Sequence, residues 1–299
     1  LEQVPETGRW RFMAISPDTE ETIGEMLRDA ILKEHEKQIL PPNHIISRHV
    51  RRIVAQILSA SSLGHIRRGS AHDLALSNGS SQPWDANELW DPDAQNQNTF
   101  EAQREWEVVV VHDPKVINAM AVPGLIVVFT GILPLCRDER GLSAVLAHEI
   151  GHVVARHSAE RISSEIINLL FLFLLQFMSF GMFNIASAQH FLFDLPNSRT
   201  QEYEADKIGL SLMSRACYDP KGAVEMFGRL ARLQPGRSDV DFFDTHPSSA
   251  KRVEELSKLL PEAYAVLQEN PDCAGIQDRL MGAFRSLNVR NRSFDEMID

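Results

Sequence analysis

Two histidines four residues apart, with a glutamate directly after the first, are the residues of this chain best suited to chemistry: Ala147-His148-Glu149-Ile150-Gly151-His152. On a helix an interval of four places both imidazoles on one face, a turn apart. They can then reach one divalent cation while Glu149 faces the water bound to it. This is the pattern of a hydrolytic Zn2+ site, with the carboxylate as general base. Two surface histidines on an ordinary helix would show the same spacing, but Leu142, Val145, Leu146, Val153 and Val154 supply an apolar face that would bury this one.

A catalytic zinc needs a third protein ligand and one open position. A third histidine six residues after His152 is not available, because that position is Ser158 and His157 is out of phase. Cys136 precedes the motif without a partner at ligand spacing. An acidic residue on a later helix remains, and Ser198-Arg199-Thr200-Gln201-Glu202-Tyr203-Glu204-Ala205-Asp206 supplies one. Glu202 and Asp206 share a helical face, so Glu202 could ligate the ion while Asp206 accepts a hydrogen bond from a ligand imidazole. Glu204, about 200° around the helix from Glu202, is expected in solvent.

The elements that must position these residues are mostly helical. Ser16-Pro17-Asp18 is a helix start, predicting a helix from about Pro17 to Gln38. After Pro41-Pro42, the spacing of Ile45, Ile46, Val50, Ile53, Val54, Ile57 and Leu58 predicts a second helix, with Arg48, Arg51 and Arg52 on its solvated face. Residues 69–103 are rich in Ser, Asn, Gln, Asp and Gly and read as a loop or insertion. Segments within Trp106–His112, Asn118–Ala121 and Leu125–Thr130 are separated by Asp113-Pro114 and Pro123-Gly124 and predict a three-stranded meander. Beyond Gly131 the chain reads as helices over Gly141–Glu160, Ser198–Arg215, Pro220–Leu233 and Pro247–Leu260, with an apolar stretch over Ile166–Phe193. The fold class is therefore α+β, mainly α. The organisation is an N-terminal helical segment (1–60), a polar insertion (61–104), a core (105–260) and a helical tail (261–299).

Composition narrows the function. Acidic residues outnumber basic ones by 41 to 30, a formal charge of −11, which disfavours nucleic acid as a partner. Cys136, Cys217 and Cys273 are odd in number and far apart, so they read as core or incidental thiols. The start at Leu1-Glu2-Gln3, without an initiator Met or apolar leader, reads as a processed or truncated product. The stretch Ile166–Phe193 carries no Asp, Glu, Lys or Arg. One crossing of a bilayer there would separate His152 from Glu202, and it is too short for two crossings. A buried helix or a hairpin turning near Ser179-Phe180-Gly181 and dipping into lipid remains. The five phenylalanines Phe171, Phe173, Phe177, Phe180 and Phe183 favour the hairpin, since one helix face cannot bury them all.

His148-Glu149-Ile150-Gly151-His152, then Glu202-Tyr203-Glu204-Ala205-Asp206 fifty positions later, then Thr245-His246-Pro247-Ser248, resembles the gluzincin peptidases that include the CAAX prenyl proteases and bacterial heat-shock membrane proteases. Pro41-Pro42-Asn43-His44, Ser198-Arg199 and Glu204-Ala205-Asp206-Lys207-Ile208-Gly209-Leu210 are similar, more narrowly, to the mitochondrial Oma-type metalloendopeptidase family. The resemblance runs from Arg9 to about Leu260. It implies a zincin-like domain with one zinc on His148, His152 and Glu202, and Glu149 as base. It also implies that His246 and Arg252 steady the oxyanion, although on residues alone His246 reads as a loop or capping histidine. Asn118, Ala119, Met120 and Ala121 would be an edge strand that an extended substrate joins. The implied setting is the mitochondrial inner membrane, facing the intermembrane space, with quality control and stress-activated processing of membrane-associated proteins; a bacterial periplasmic or inner-membrane member would share the chemistry. The implied partners are protein substrates in or near a membrane and lipid at 166–193, with a homo-oligomer left open. A catalytically silent scaffold or chaperone partner is the alternative, but it has no chemical reason to keep His148, Glu149, His152 and Glu202 together.

Overall fold

The computed structural model describes residues 1–4, 7–67, 104–178, 199–233, 246 and 250–273, with side chains of 171–178 excepted. The expected polar insertion at 69–103, the turn near Ser179 and the end of the tail lie outside the described residues.

A two-stranded ribbon of β1 (Glu2–Gln3) and β2 (Trp10–Arg11) opens the chain. Helix α1 (Pro17–His35) starts where Ser16 Oγ accepts a hydrogen bond from the Thr19 amide, as its sequence predicts. Helix α2 (Ile45–Ala60) buries Val50, Ile53, Val54, Ile57 and Leu58 along one face. The sheet contains β3 (His65–Ile66), β4 (Glu105–Val111), β5 (Ala119–Val122) and β6 (Leu125–Phe129) in the order β3-β4-β6-β5.

This sheet is not the expected meander. β4 runs parallel to β6, and β5 folds back antiparallel onto β6 at the edge. A parallel pair covered on both faces explains why Val108–Val111 and Leu125–Phe129 are apolar at consecutive positions. Val108, Val110, Ile126 and Val128 face the main core under α2 and the later helices, whereas Val109, Val111, Leu125 and Val127 meet Ile31 and Leu32 of α1.

The short α3 (Leu133–Cys136) leads into α4 (Glu139–Val154), whose first turn is capped by Asp138 accepting from the Gly141 amide. The helix expected to continue to Glu160 stops at Ala155. Arg156 takes the left-handed conformation, φ 54°, and a new helix α5 (His157–Met178) begins at once. Arg156 is held in that turn by Glu20 at 2.5 Å, Glu2 at 2.9 Å and the Ile15 carbonyl at 3.0 Å. Ile166, Ile167, Leu169 and Leu170 on α5 are exposed, so this part of the apolar stretch is not a buried core helix. Among the described residues, no helix is long and apolar enough to cross a membrane.

Helices α6 (Arg199–Arg215), α7 (Lys221–Arg232) and α8 (Ala250–Glu269) complete the domain. α6 lies very close to α4 because each offers a glycine at the crossing. A Cβ on Gly151 would stand 2.9 Å from the Ala205 carbonyl oxygen, and one on Gly209 would stand 3.1 Å from the His148 Cα. Cys217, just after α6, forms a disulfide with Cys273, just after α8. That corrects the expectation of unpaired thiols. Only Cys136 fits it: the thiol is buried, and burial pushes its pKa up to about 12.

Candidate metal centre

Helix α4 presents His148, Glu149 and His152 to the interior, and all three are buried. The glycine crossing brings in α6, whose Glu202 and Asp206 face the same cleft. His246 arrives from the segment between α7 and α8, and Arg252 from the first turn of α8. His148 Nε2 lies 3.1 Å from His152 Nε2 and 3.4 Å from Glu202 Oε2, and His152 Nε2 lies 3.3 Å from Glu202 Oε1. Zn–N and Zn–O bonds of about 2.0–2.1 Å in a tetrahedron put neighbouring ligand atoms about 3.3 Å apart. The three donors are therefore spaced as such an ion requires.

The donor chemistry points the same way. Two imidazole nitrogens facing each other at 3.1 Å cannot both present bare lone pairs: either a cation stands between them or one ring donates its Nε2–H to the other. Burial and Arg252 pull the His148 pKa down, but the hydrogen bonds of Asp206 and Glu202 prevail and raise it to about 9. Burial holds His152 well below its ordinary value. Glu202 is held far below the usual carboxylate range, since His148, His152 and His246 together outweigh the opposing effect of burial. Zinc, with its N and O preferences, fits this set; His246 Nδ1, 2.8 Å from Glu202 Oε1 and 3.4 Å from His148 Nε2, could add a fourth donor.

Glu149 stands one step outside this triangle. Burial raises its pKa, only partly offset by His246 and His148. Its Oε1 lacks a hydrogen-bond partner among the described residues, and His246 Nε2 is 3.5 Å away. A buried carboxylate with raised proton affinity beside a candidate cation site has the properties of a proton acceptor.

The two imidazoles are held from behind by different groups. His148 Nδ1 lies 3.1 Å from Asp206 Oδ1. Arg252 grips Asp206 with two bonds, Nε to Oδ2 at 2.6 Å and an Nη to Oδ1 at 2.7 Å, and its other Nη is 2.8 Å from Glu202 Oε2. Its guanidinium also stacks on Phe227, 4.3 Å from the ring centre. The Arg252 charge thus faces these two carboxylates, lowering the Asp206 pKa despite burial, and one Nη also lies 3.1–3.2 Å from the His148 ring nitrogens.

Behind His152 stands His157. The two Nδ1 atoms are 2.8 Å apart, and His157 Nε2 is 3.2 Å from Glu204 Oε2. Glu204, expected in solvent, is buried instead. It accepts from Thr7 Oγ1 at 2.6 Å and from Arg9 Nε at 2.9 Å, and Arg9 also binds Glu160 at 2.7 and 2.8 Å. The face of α6 opposite Glu202 is covered by the N-terminal ribbon, which a reading of α6 alone cannot show. His157 stands outside the triangle and bonds His152 and Glu204 instead. Its only sequence signal was its place five residues after His152.

Asn118 is buried, its Oδ1 accepting from the Ala119 amide at 2.9 Å and its carbonyl from the Phe129 amide at 3.1 Å. Ala119 is buried, Met120 and Ala121 half-buried. Strand β5, which begins at Ala119 directly after Asn118, packs against α4 and, among the described residues, is paired on one side only.

Residues 87–260 match peptidase family M48. The chain is 32% identical over 284 residues to the mitochondrial metalloendopeptidase OMA1 of Saccharomyces cerevisiae, covering 92% of this chain and 73% of that protein. It is 34% identical over 282 residues to the protein of the same name from Schizosaccharomyces pombe, covering 91% and 70%. The metalloprotease LoiP of Escherichia coli is 28% identical over 158 residues, 49% of this chain and 60% of that one.

Proposed function

Since the chain belongs to peptidase family M48, among relatives named OMA1, and is a metalloendopeptidase, we propose that its ion is zinc, held by His148, His152 and Glu202, and that it cleaves membrane-associated proteins in mitochondria. The observation that carries this is the 3.1–3.4 Å triangle of His148, His152 and Glu202 with Glu149 beside it. Bound there, zinc supplies a Lewis acid and a water acidified to a pKa of about 7. Glu149 holds the proton taken from the attacking water and delivers it to the leaving amine, a role suited to its raised pKa. His246, buried beside the triangle with Nε2 3.5 Å from Glu149 Oε1, takes the role of steadying the carbonyl oxygen as it gains charge. Arg252 contributes there through Glu202, which it holds. Asn118 and the edge of β5 at Ala119–Ala121 receive the substrate as an added strand, fixing the scissile bond beside α4.

The mitochondrial setting rests on the relatives' names and on the extent of the match, which is nearly the whole chain for the OMA1 proteins of the two yeasts and about half for LoiP. The Cys217–Cys273 disulfide suits an oxidising space such as the intermembrane face of the inner membrane. The exposed Ile166, Ile167, Leu169 and Leu170 give α5 an apolar surface that suits contact with lipid, and to this surface we attach the reading of quality control and stress-responsive cleavage of inner-membrane proteins.

Two variants test the site. Glu149→Gln should keep one zinc per chain and lose about 10²–10⁴-fold in kcat; retained cleavage in the metal-loaded variant refutes the base. His246→Ala should also keep zinc and lose about 10²–10³-fold in kcat. Loss of the metal instead would make His246 a fourth ligand.

A further inference from the structure

We propose that His157 is a positioning residue that fixes the tautomer of His152 and thereby its strength as a metal ligand. This rests on the reading of His152 as a ligand through Nε2. An imidazole that binds a cation through Nε2 must carry its proton on Nδ1, and that proton needs an acceptor. The His152 Nδ1 atom lies 2.8 Å from His157 Nδ1, the rings being 4.9 Å apart and tilted by 71°. Two nitrogens at that distance share one proton, so one of them is an acceptor.

Which one accepts is decided on the far side of His157. Its Nε2 is 3.2 Å from Glu204 Oε2, and a carboxylate only accepts, so the His157 proton sits on Nε2. Nδ1 of His157 is then bare and receives the proton of His152, leaving the His152 Nε2 lone pair directed at His148 and Glu202. Glu204 keeps its charge because Arg9 and Thr7 bond it. Geometry alone would also allow His157, Glu160 and Glu204 to hold a second cation. Arg9, bonded to both carboxylates, and Arg11, 3.2 Å from Glu160, already supply positive charge there. The break at Arg156 is what makes the arrangement possible, since a continuous helix would carry His157 away from His152.

The test compares zinc affinity, by competition with a chromophoric chelator, in the full chain and its variants. His157→Phe should bind one zinc per chain tenfold to hundredfold more weakly. His157→Asn, whose carbonyl oxygen can occupy the place of Nδ1, should recover most of the loss. In the zinc-loaded wild-type chain, long-range ¹H–¹⁵N spectra should show His152 protonated at Nδ1 and His157 at Nε2 only. Wild-type affinity in His157→Phe, or a proton on His157 Nδ1, overturns the proposal alone. Wild-type affinity in His152→Ala overturns the ligand assignment and this proposal with it.

Discussion

Behind His148 the path from Nδ1 reaches a carboxylate in one step, Asp206, and the Arg252 that grips this carboxylate also lies 3.2 Å from Nδ1 itself. Behind His152 the path passes through a second imidazole, His157, before the carboxylate Glu204 and the arginine Arg9. Both paths end on a cation that keeps the carboxylate charged, but one is a link longer. They also differ in burial: the Arg252 side chain is 7% exposed and the Arg9 side chain 28%. The difference shows that one centre is supported by two parts of the chain far apart in sequence. α8 supports the His148 side, and the N-terminal ribbon supports the His152 side.

The largest effect should separate the two arginines. Arg252→Ala leaves Asp206 buried beside Glu202 without its cation and should cost about 3–5 kcal/mol of stability, whereas Arg9→Ala, partly screened by water, should cost less than about half of that. Equal losses in denaturant titration would erase the contrast. Next, Asp206→Asn replaces an anionic acceptor by a neutral one and should weaken zinc binding about tenfold to hundredfold. That loss should exceed the change made by Glu204→Gln, which acts one residue further away. The smallest effect concerns acid. Burial pushes the Glu204 carboxyl up, but His157, Arg9 and Thr7 hold it well below its ordinary 4.5. A depressed carboxylate adds stability above the unfolded value and gives it up as pH falls below it. Glu204→Gln should therefore flatten the acid side of the stability profile of the ion-free chain below about pH 4.5, leaving the fall that Asp206 causes. An unchanged acid limb would show that Glu204 is not ionised through its contacts.

The features legible in the sequence were those encoded by local periodicity. The apolar stripe of α2, the cap at Ser16 and the four-residue intervals in α4 and α6 each declare themselves within a few turns. Glu202 was legible because it shares a face with Asp206 on an otherwise well-marked helix. What stayed hidden depends on contacts between distant segments. The burial of Glu204 depends on Arg9, 195 positions away. The helix break has neither glycine nor proline to announce it; Arg156 adopts the left-handed turn because Glu2, Glu20 and Ile15 hold its side chain. The parallel pairing of β4 with β6 looked like a meander, because runs of valine carry no strand direction. The disulfide joins cysteines 56 positions apart, a link that spacing alone does not reveal.

The paired glycines at the crossing of α4 and α6 act as a calliper. With Gly151 against Ala205 and Gly209 against His148, the gap between the helices is set by main chain meeting main chain. The bite of the imidazoles and Glu202 is thus machined into the backbone rather than left to side-chain rotation. An added methyl at either glycine would open the jaws by a few tenths of an ångström, comparable with the difference in bond length between zinc and a larger cation such as calcium.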